Sequence, residues 1–228
     1  MNEYTCLLNK DIDSLIFSNL DPPSVLAMSE VNKHAESLLR AQRLLINEIA
    51  YDFMKACSWG CLEMAQWIRD VRYVDIHDKK DRIFQLTCRG GHLCVAQWLI
   101  AIGEETNSKI DIHAGSENAF VLSCAKGHQS LAEWLIRLGE GSYGLIDIHK
   151  VNEEPFRRAC SKGQVDIAKW LVKIGSKSYG KIRIHAVHDA PFRDACKYRH
   201  REIADWLIAL GKESASPIPE KLIEKHYK

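Results

Sequence analysis

A phenylalanine, a cysteine and a tryptophan recur along this chain at a fixed spacing, and that repetition limits what the chain can fold into. In each copy the cysteine follows the phenylalanine by four residues and the tryptophan follows the cysteine by ten. The copies lie 36 residues apart, except for 31 residues between the first two. Their positions are Phe53, Cys57 and Trp67; Phe84, Cys88 and Trp98; Phe120, Cys124 and Trp134; Phe156, Cys160 and Trp170; and Phe192, Cys196 and Trp206. A repeat of this length is typical of a solenoid, in which each unit buries its apolar face against the next.

Each copy predicts two helices joined by a tight turn. The first helix carries the phenylalanine and the cysteine, and a glycine three residues later is expected to end it, at Gly60, Gly91, Gly127 and Gly163. The second helix carries the tryptophan, and its end is expected at Gly103, Gly139, Gly175 and Gly211. A brief extended segment ending in Ile-His follows, as at 112–113. The predicted fold class is therefore all-α, a helical solenoid of about five helix-turn-helix units with hairpin loops.

This unit resembles the ankyrin repeat. The likeness is closest at the first-helix starts Glu154-Pro155-Phe156 and Ala190-Pro191-Phe192 and at the turns Gly91-His92 and Gly127-His128. It implies an ankyrin-type solenoid over residues 48–211, which recognises a protein target along its concave face and is not an enzyme. Phenylalanine and cysteine replace the usual leucine and alanine, and three extra residues are expected to lengthen the loop after the second helix. Long copies with the Ile-His ending are similar to ankyrin proteins of large viruses of amoebae.

Residues 1–47 predict three short helices that form a small bundle. Their opening leucine, Ile-Phe pair and Leu-Asp-Pro turn resemble an F-box, although Asn9 stands where proline is usual and Ala35 where an aromatic residue is common. The resemblance implies that this F-box-like domain docks a Skp-type adaptor of a cullin-RING ubiquitin ligase. The matching positions are Leu8, Ile12, Leu15, Ile16, Phe17, Leu20, Pro22 and Val31. The alternative is a helical cap that covers the first repeat.

The recurring cysteines, tryptophans and histidines are interpreted as structural. Equivalent residues of stacked helices are about 8–10 Å apart, which is too far for a disulfide or for ligands that share a metal ion. Each tryptophan is expected to cover the seam between units, and His77, His113, His149 and His185 are expected to brace the hairpins by hydrogen bonds. No metal ligand and no cofactor is predicted. Free cysteines indicate a reducing compartment, so we expect a cytoplasmic protein, possibly in a host cytosol.

The composition argues against several other functions. The 31 basic residues nearly balance the 30 acidic ones, which disfavours nucleic acid or an anionic membrane as the main partner. No apolar run of membrane-spanning length occurs, and the opening residues do not lead us to expect a signal peptide. No nucleotide-binding glycine loop, zinc-protease motif or nucleophile elbow occurs, so no catalytic residue is proposed and an enzyme is the least supported class.

Partner recognition is expected where the repeats differ, at the hairpin tips and just after each cysteine. The predicted partner-binding residues are Trp59, Asp78, Lys79, Asp81, Arg89, Glu117, Lys126, Lys150, Glu153, Lys162, Asp189, Lys197 and Tyr198. For Trp59 the alternative is burial against the leader, and for the basic run 197–201 it is a solvated face. Residues 212–228 are expected to form a capping tail. The leading hypothesis is a substrate-recruiting adaptor of a ubiquitin ligase, and the alternative is an interaction scaffold without that role.

Overall fold

The computed structural model describes residues 52–71 and 74–227. The predicted F-box-like bundle and all of its proposed adaptor-binding residues therefore lie outside the described residues. The chain divides into two compact units, one of residues 1–53 and 67–74 and the other of residues 54–66 and 75–228. The structure describes residues 52–53, 67–71 and 74 of the first unit and nearly all of the second.

The described residues form helices in consecutive pairs. They are α1 (52–58) and α2 (Leu62–Val71); α3 (Asp78–Gly90) and α4 (Leu93–Glu105); α5 (Ala114–Lys126) and α6 (Gln129–Leu138); α7 (Lys150–Ser161) and α8 (Val165–Ile174); and α9 (Ala186–Lys197) and α10 (Arg201–Glu213). A single short helix, α11 (Glu220–His226), follows and contacts α9. Residues 52–71 and 74–227 contain no β-strand. The helix pairs predicted from the repeat spacing are thus confirmed.

The second unit is built by stacking the first helices of successive repeats. Helix α3 packs on α5, α5 on α7 and α7 on α9, while each first helix also contacts the second helix of its own repeat. The phenylalanines at 84, 120, 156 and 192 are fully buried in this unit, and so are the cysteines at 57, 88, 124 and 160. Burying one such aromatic side chain contributes on the order of 1.5–3 kcal/mol. The aligned columns are therefore the core of the stack, as predicted.

The tryptophans of the last three repeats cover the seams. The indole of Trp134 lies 6.4 Å from the ring of Phe84, measured between centroids, and Trp170 lies 6.4 Å from Phe120. Trp206 contacts Phe156 in the same way. In each pair the phenylalanine belongs to the preceding repeat, so each indole joins two units. Trp67 departs from this pattern because 58% of its surface is exposed.

The hairpin tips are left-handed turns instead of paired extended segments. Three consecutive residues in each of the last four repeats have positive φ, as in Val151, Asn152 and Glu153, with φ values of 47°, 55° and 64°. The turn closes through a hydrogen bond of 3.1 Å from the Glu153 N–H to the carbonyl oxygen of His149. A β-branched residue such as Val151 is strained in this conformation, so the surrounding contacts must hold the turn in place.

The extra residues of the long repeats extend the second helix, which corrects the prediction of a longer loop. Gly139–Tyr143 and Gly175–Tyr179 form π-helical turns directly after α6 and α8. The hydroxyl of Tyr143 donates a 3.0 Å hydrogen bond to Glu104 of the preceding repeat. A Cβ at Gly139 would lie 2.6 Å from the carbonyl oxygen of Gly144, so the returning chain needs glycine at that position. The insertion therefore ties two repeats together.

The buried cysteine column predicts a sharp difference in thiol reactivity. Burial raises the pKa of Cys57 to about 12 from an ordinary value of 9.0, which leaves roughly a thousandfold less thiolate near neutral pH. Burial also raises the pKa of Cys88, Cys124 and Cys160, whereas Cys61 and Cys94 are exposed. We expect iodoacetamide to label the two exposed thiols of the folded protein and to reach the four buried ones only in denaturant. Peptide mapping measures this, and equal labelling of Cys88 and Cys94 in the folded state would contradict it.

Candidate functional site

In the second, third and fourth repeats a buried carboxylate lies inside the hairpin tip and contacts the next repeat. Glu153 is fully buried, and its carboxylate lies 2.8 Å from the Nδ1 atom of His149. The same carboxylate accepts hydrogen bonds from the backbone N–H and the guanidinium Nε of Arg183, at 3.3 and 2.9 Å. Equivalent contacts join Glu117 to His113 and to the backbone N–H of Asp147. Each carboxylate thus holds its own turn and the following repeat together.

The histidine of each tip completes this tie from its other ring nitrogen. The Nε2 atom of His113 donates to the carbonyl oxygen of Tyr143 at 2.8 Å, and His149 donates to Tyr179 in the same way. In the last repeat His185 contacts the carbonyl oxygen of Ser216 at 2.9 Å. The predicted bracing role of these histidines is therefore confirmed. We call each of these histidines, together with the carboxylate four residues later, a tip latch.

The two central tip latches favour a protonated imidazole. Both ring nitrogens of His113 face acceptors, one from Glu117 and one from Tyr143, so only the doubly protonated ring can donate to both. Partial burial lowers the pKa of His113, but the hydrogen bond to Glu117 and the carbonyl of Tyr143 outweigh it and raise the pKa overall. For His149, burial is likewise outweighed by the carbonyl of Tyr179 and by Glu153, so its pKa is also raised.

These raised pKa values predict that the stack loses stability as pH rises. The folded state binds protons at His113 and His149 more tightly than the unfolded state, in which the ordinary value is 6.5. Their contribution is complete below that value and is lost as pH rises through the higher folded pKa. We expect the free energy of unfolding in urea to be lower at about pH 8.5 than at about pH 6. In the double variant H113Q/H149Q this difference should shrink, and an unchanged difference would contradict the assignment.

Three of the predicted partner-binding residues are corrected by this geometry. Asp81, Glu117 and Glu153 are buried, with 5%, 3% and 0% of their surface exposed, so they cannot contact a partner. Asp189, in the fourth latch, is half-buried against His185. The sequence contained the signal for this role, because an acidic residue follows each Ile-His histidine by four positions in every copy. A residue type that recurs at the same position of every repeat is expected to have a structural role. The tip acids were instead interpreted as part of the variable surface.

The turn between the two helices of a repeat contributes a second set of hydrogen bonds between neighbouring repeats. Gly91 ends its helix with φ of 79°, and a Cβ there would lie 2.4 Å from the ring of His128 in the next repeat. That ring contacts the carbonyl oxygen of Arg89 through Nε2 at 3.1 Å. His92 and His200 make the same contact with Ser58 and Ser161 of the repeats before them. In the fourth repeat Gln164 takes this position and donates to Lys162 of its own turn instead.

The remaining predicted residues at this turn are exposed and mostly basic. We call them the turn surface, and they comprise Trp59, Arg89, Lys126, Lys162, Lys197 and Tyr198. Trp59 is 68% exposed and Tyr198 is 50% exposed. The ammonium groups of Lys162 and Lys197 lie 5.9 and 5.4 Å from the centroid of the Tyr198 ring. The cationic groups can pair with acidic groups of a partner, and the aromatic faces can stack against its planar groups.

The tips and the turn surface lie at opposite ends of the first helices. A first helix of about ten regular residues separates them by roughly 15 Å. Of the predicted tip residues, Lys79 is exposed and Lys150 is half-buried, while Asp78 begins α3. The tips also expose Val151 and Val187, at 49% and 42%. The predicted residues therefore do not form one site, and the turn surface is the part that is both exposed and uniformly placed.

The described ranges contain neither a cluster of metal-binding side chains nor a membrane-spanning helix. Among residues 52–71 and 74–227, no group of three or more histidine, cysteine, aspartate or glutamate side chains is arranged to hold a metal ion. In the same part of the chain, no helix has the length and apolarity needed to cross a membrane.

Comparison with known proteins identifies the repeats. A family model for ankyrin repeats, in three copies, matches residues 83–181. Among curated proteins, none matches the sequence significantly. The matched segment contains the tip latches of His113 and His149 and three of the buried phenylalanines. The ankyrin repeats at residues 83–181 indicate a protein-protein interaction module.

Proposed function

We propose that the ankyrin repeats of this chain hold a protein target on the turn surface and the adjoining side of the first helices. The observation that carries this proposal is that the turn surface is exposed in every repeat, while the buried columns and latches account for the fold. Side chains that contribute little to folding and recur along a stack are available for recognition. The concave face implied by the ankyrin likeness would include the exposed side of the first helices.

The chemistry of the turn surface favours an acidic target. Arg89, Lys126, Lys162 and Lys197 occupy successive repeats, so their charges form a row with steps of about 8–10 Å. The near-neutral net charge of +1 means that this row is a local feature and not part of a generally basic surface. A protein segment with spaced carboxylates can pair with such a row, and the two aromatic residues at its ends can supply apolar anchors.

A charge-reversal experiment tests this proposal. The variant K126E/K162E/K197E is compared with K173E/K177E/K212E, which reverses three exposed lysines elsewhere on the repeats. Cytosolic proteins cross-linked to the wild type are identified, and purified candidates are then measured for binding to all three proteins. We expect the first variant to lose affinity by about tenfold or more and the second to bind as wild type. Equal losses in both variants would show that recognition lies elsewhere.

The ligase hypothesis rests on the F-box-like residues of the leader. In this second candidate function, residues 1–47 bind a Skp-type adaptor and the repeats present the bound target for ubiquitination. The supporting observation is the F-box-like pattern immediately before a recognition solenoid. The alternative, a scaffold whose leader only caps the stack, accounts for the repeats equally well. We propose a reducing, cytoplasmic setting in both cases, because the buried cysteines are free thiols.

Direct binding separates the two candidates. A purified Skp-type adaptor is titrated with the full chain and with the variant I16D/F17D, after circular dichroism has established that both have the same helix content. The ligase role predicts saturable binding by the wild type and its loss in the variant. A wild type that binds its target but not the adaptor would identify the scaffold.

A further inference from the structure

The last repeat contains a cavity that the proposed function does not use. It lies between the turn of the fifth repeat and the end of α11, and its volume is about 290 Å³. Its lining comprises Cys196, Arg199, Arg201, Ala204, His226 and Tyr227. A water molecule takes about 30 Å³ in the liquid, so this space admits a polyatomic anion with accompanying groups.

Two of the side chains that line the cavity are arginines that form no ion pair within the described residues. No carboxylate in the described part of the chain forms an ion pair with Arg199 or Arg201, and both residues are exposed. Asp205 does not line the cavity, but its carboxylate accepts a hydrogen bond from the Tyr227 hydroxyl and adds to the effect of burial in raising the pKa of the Cys196 thiol, so one acidic group borders the space. The two guanidinium groups outnumber this carboxylate and leave an excess of positive charge. Guanidinium groups bind phosphate oxygens through paired N–H donors.

Arg199 stands where the other four copies have glycine. In the repeat register its counterparts are Gly60, Gly91, Gly127 and Gly163, all with positive φ. Arg199 keeps the same conformation, with φ of 61°, although a side chain makes it unfavourable. Strained residues that line a cavity are a recognised mark of functional sites. Arg199 thus places a guanidinium group at the cavity, although its backbone conformation is less favourable than it would be for glycine.

We propose that this cavity binds a phosphate group carried by a phosphorylated side chain of a protein. A phosphorylated residue carries about −1.5 to −2 charges near pH 7. It therefore balances the charge of two guanidinium groups better than a single carboxylate would. One isolated cavity suits one phosphate group, whereas a nucleic acid presents phosphates at short regular intervals. The cavity adjoins Lys197 and Tyr198 of the turn surface in sequence. The inference goes beyond the proposed function because phosphate alone tests it, without any target protein.

The test uses the full chain and inorganic phosphate as the probe, at constant ionic strength maintained with sodium chloride. The variant R199G restores the residue found in the other copies, so it should fold with an unchanged or higher Tm. The variant R201Q removes the second guanidinium group, and K173Q/K177Q is the control with the same loss of charge as the double variant R199G/R201Q. Affinity is measured by calorimetry and by the shift of Tm with phosphate concentration.

We expect saturable phosphate binding by the wild type and the control, and affinity lower by about tenfold or more in R199G/R201Q. A phosphoserine peptide should bind more tightly than its unphosphorylated form and should compete with free phosphate. Absence of saturable binding, or an equal loss in the control, would overturn the proposal. Acetate binding as tightly as phosphate would overturn the phosphate assignment. The assignment would also be overturned if a single-stranded oligonucleotide bound more tightly than the phosphopeptide and if the control substitutions weakened its binding as much as R199G/R201Q did.

Discussion

Replacing Phe120 with alanine is expected to lower the free energy of unfolding by about 3–5 kcal/mol. The side chain is fully buried in the middle of the stack, and its ring contacts Trp170 of the next repeat at 6.4 Å between centroids. Alanine loses the burial of the ring and leaves a cavity that neighbours on both sides cannot fill. Because many domains are stable by only about 5–15 kcal/mol, this change removes a large fraction of the total.

Urea unfolding followed by circular dichroism measures this change, with two matched controls. Leu145 is 68% exposed, so L145A removes a large apolar side chain at little cost. F120L keeps most of the buried volume and is expected to cost less than F120A. If F120A and L145A destabilised the protein equally, the aligned phenylalanines would not be the core of the stack.

Replacing Glu153 with alanine is expected to cost about 2–4 kcal/mol. The fully buried carboxylate accepts hydrogen bonds from His149 and from the backbone and side chain of Arg183. Its removal leaves the Arg183 N–H without that acceptor and takes away the partner that holds the strained turn at Val151 and Asn152. Two repeats are affected because Arg183 belongs to the loop that leads into the next one.

The adjacent residue provides the control for Glu153. Glu154 pairs with Arg158 one helical turn away, and the arginine side chain is 56% exposed. A surface pair of this kind contributes about 0.3–0.5 kcal/mol, so E154A should change stability little. Both variants are measured by urea unfolding at the same pH. A cost for E153A as small as that for E154A would mean that the tip latch does not stabilise the stack.

The sequence predicted the parts of the fold that depend on aligned apolar residues. The Phe120, Cys124 and Trp134 columns identified the helix pairs because burial of large side chains leaves a periodic pattern that does not depend on details of geometry. The sequence was less informative about polar columns. Glu117 and Glu153 were interpreted as variable tip residues, since a buried carboxylate is uncommon and becomes favourable only with the partners that the folded stack supplies.

The pattern of residue types also did not predict the local backbone conformation of the turns. A glycine such as Gly139 indicates a helix end, yet here it continues into a π-helical turn because the returning chain passes within van der Waals distance. The left-handed turns are centred on residues such as Val151, for which no local preference predicts positive φ. Lys126, Lys162 and Tyr198 of the turn surface are exposed, and their role in binding stays a prediction.

Gln164 occupies the position at which the neighbouring repeats have a histidine, and this difference changes the junction between the third and fourth repeats. At the other turns of the last four repeats, a histidine bonds to a carbonyl of the repeat before it, whereas Gln164 bonds within its own turn. The junction between the third and fourth repeats therefore lacks this hydrogen bond, although the Gln164 side chain still lies against Gly127 of the third repeat. In a linear array each unit is held only by those beside it, so the loss of one hydrogen bond acts locally at that junction. We therefore expect the backbone amides of the turn at Gln164 to exchange hydrogen faster than those of the turns at His92, His128 and His200.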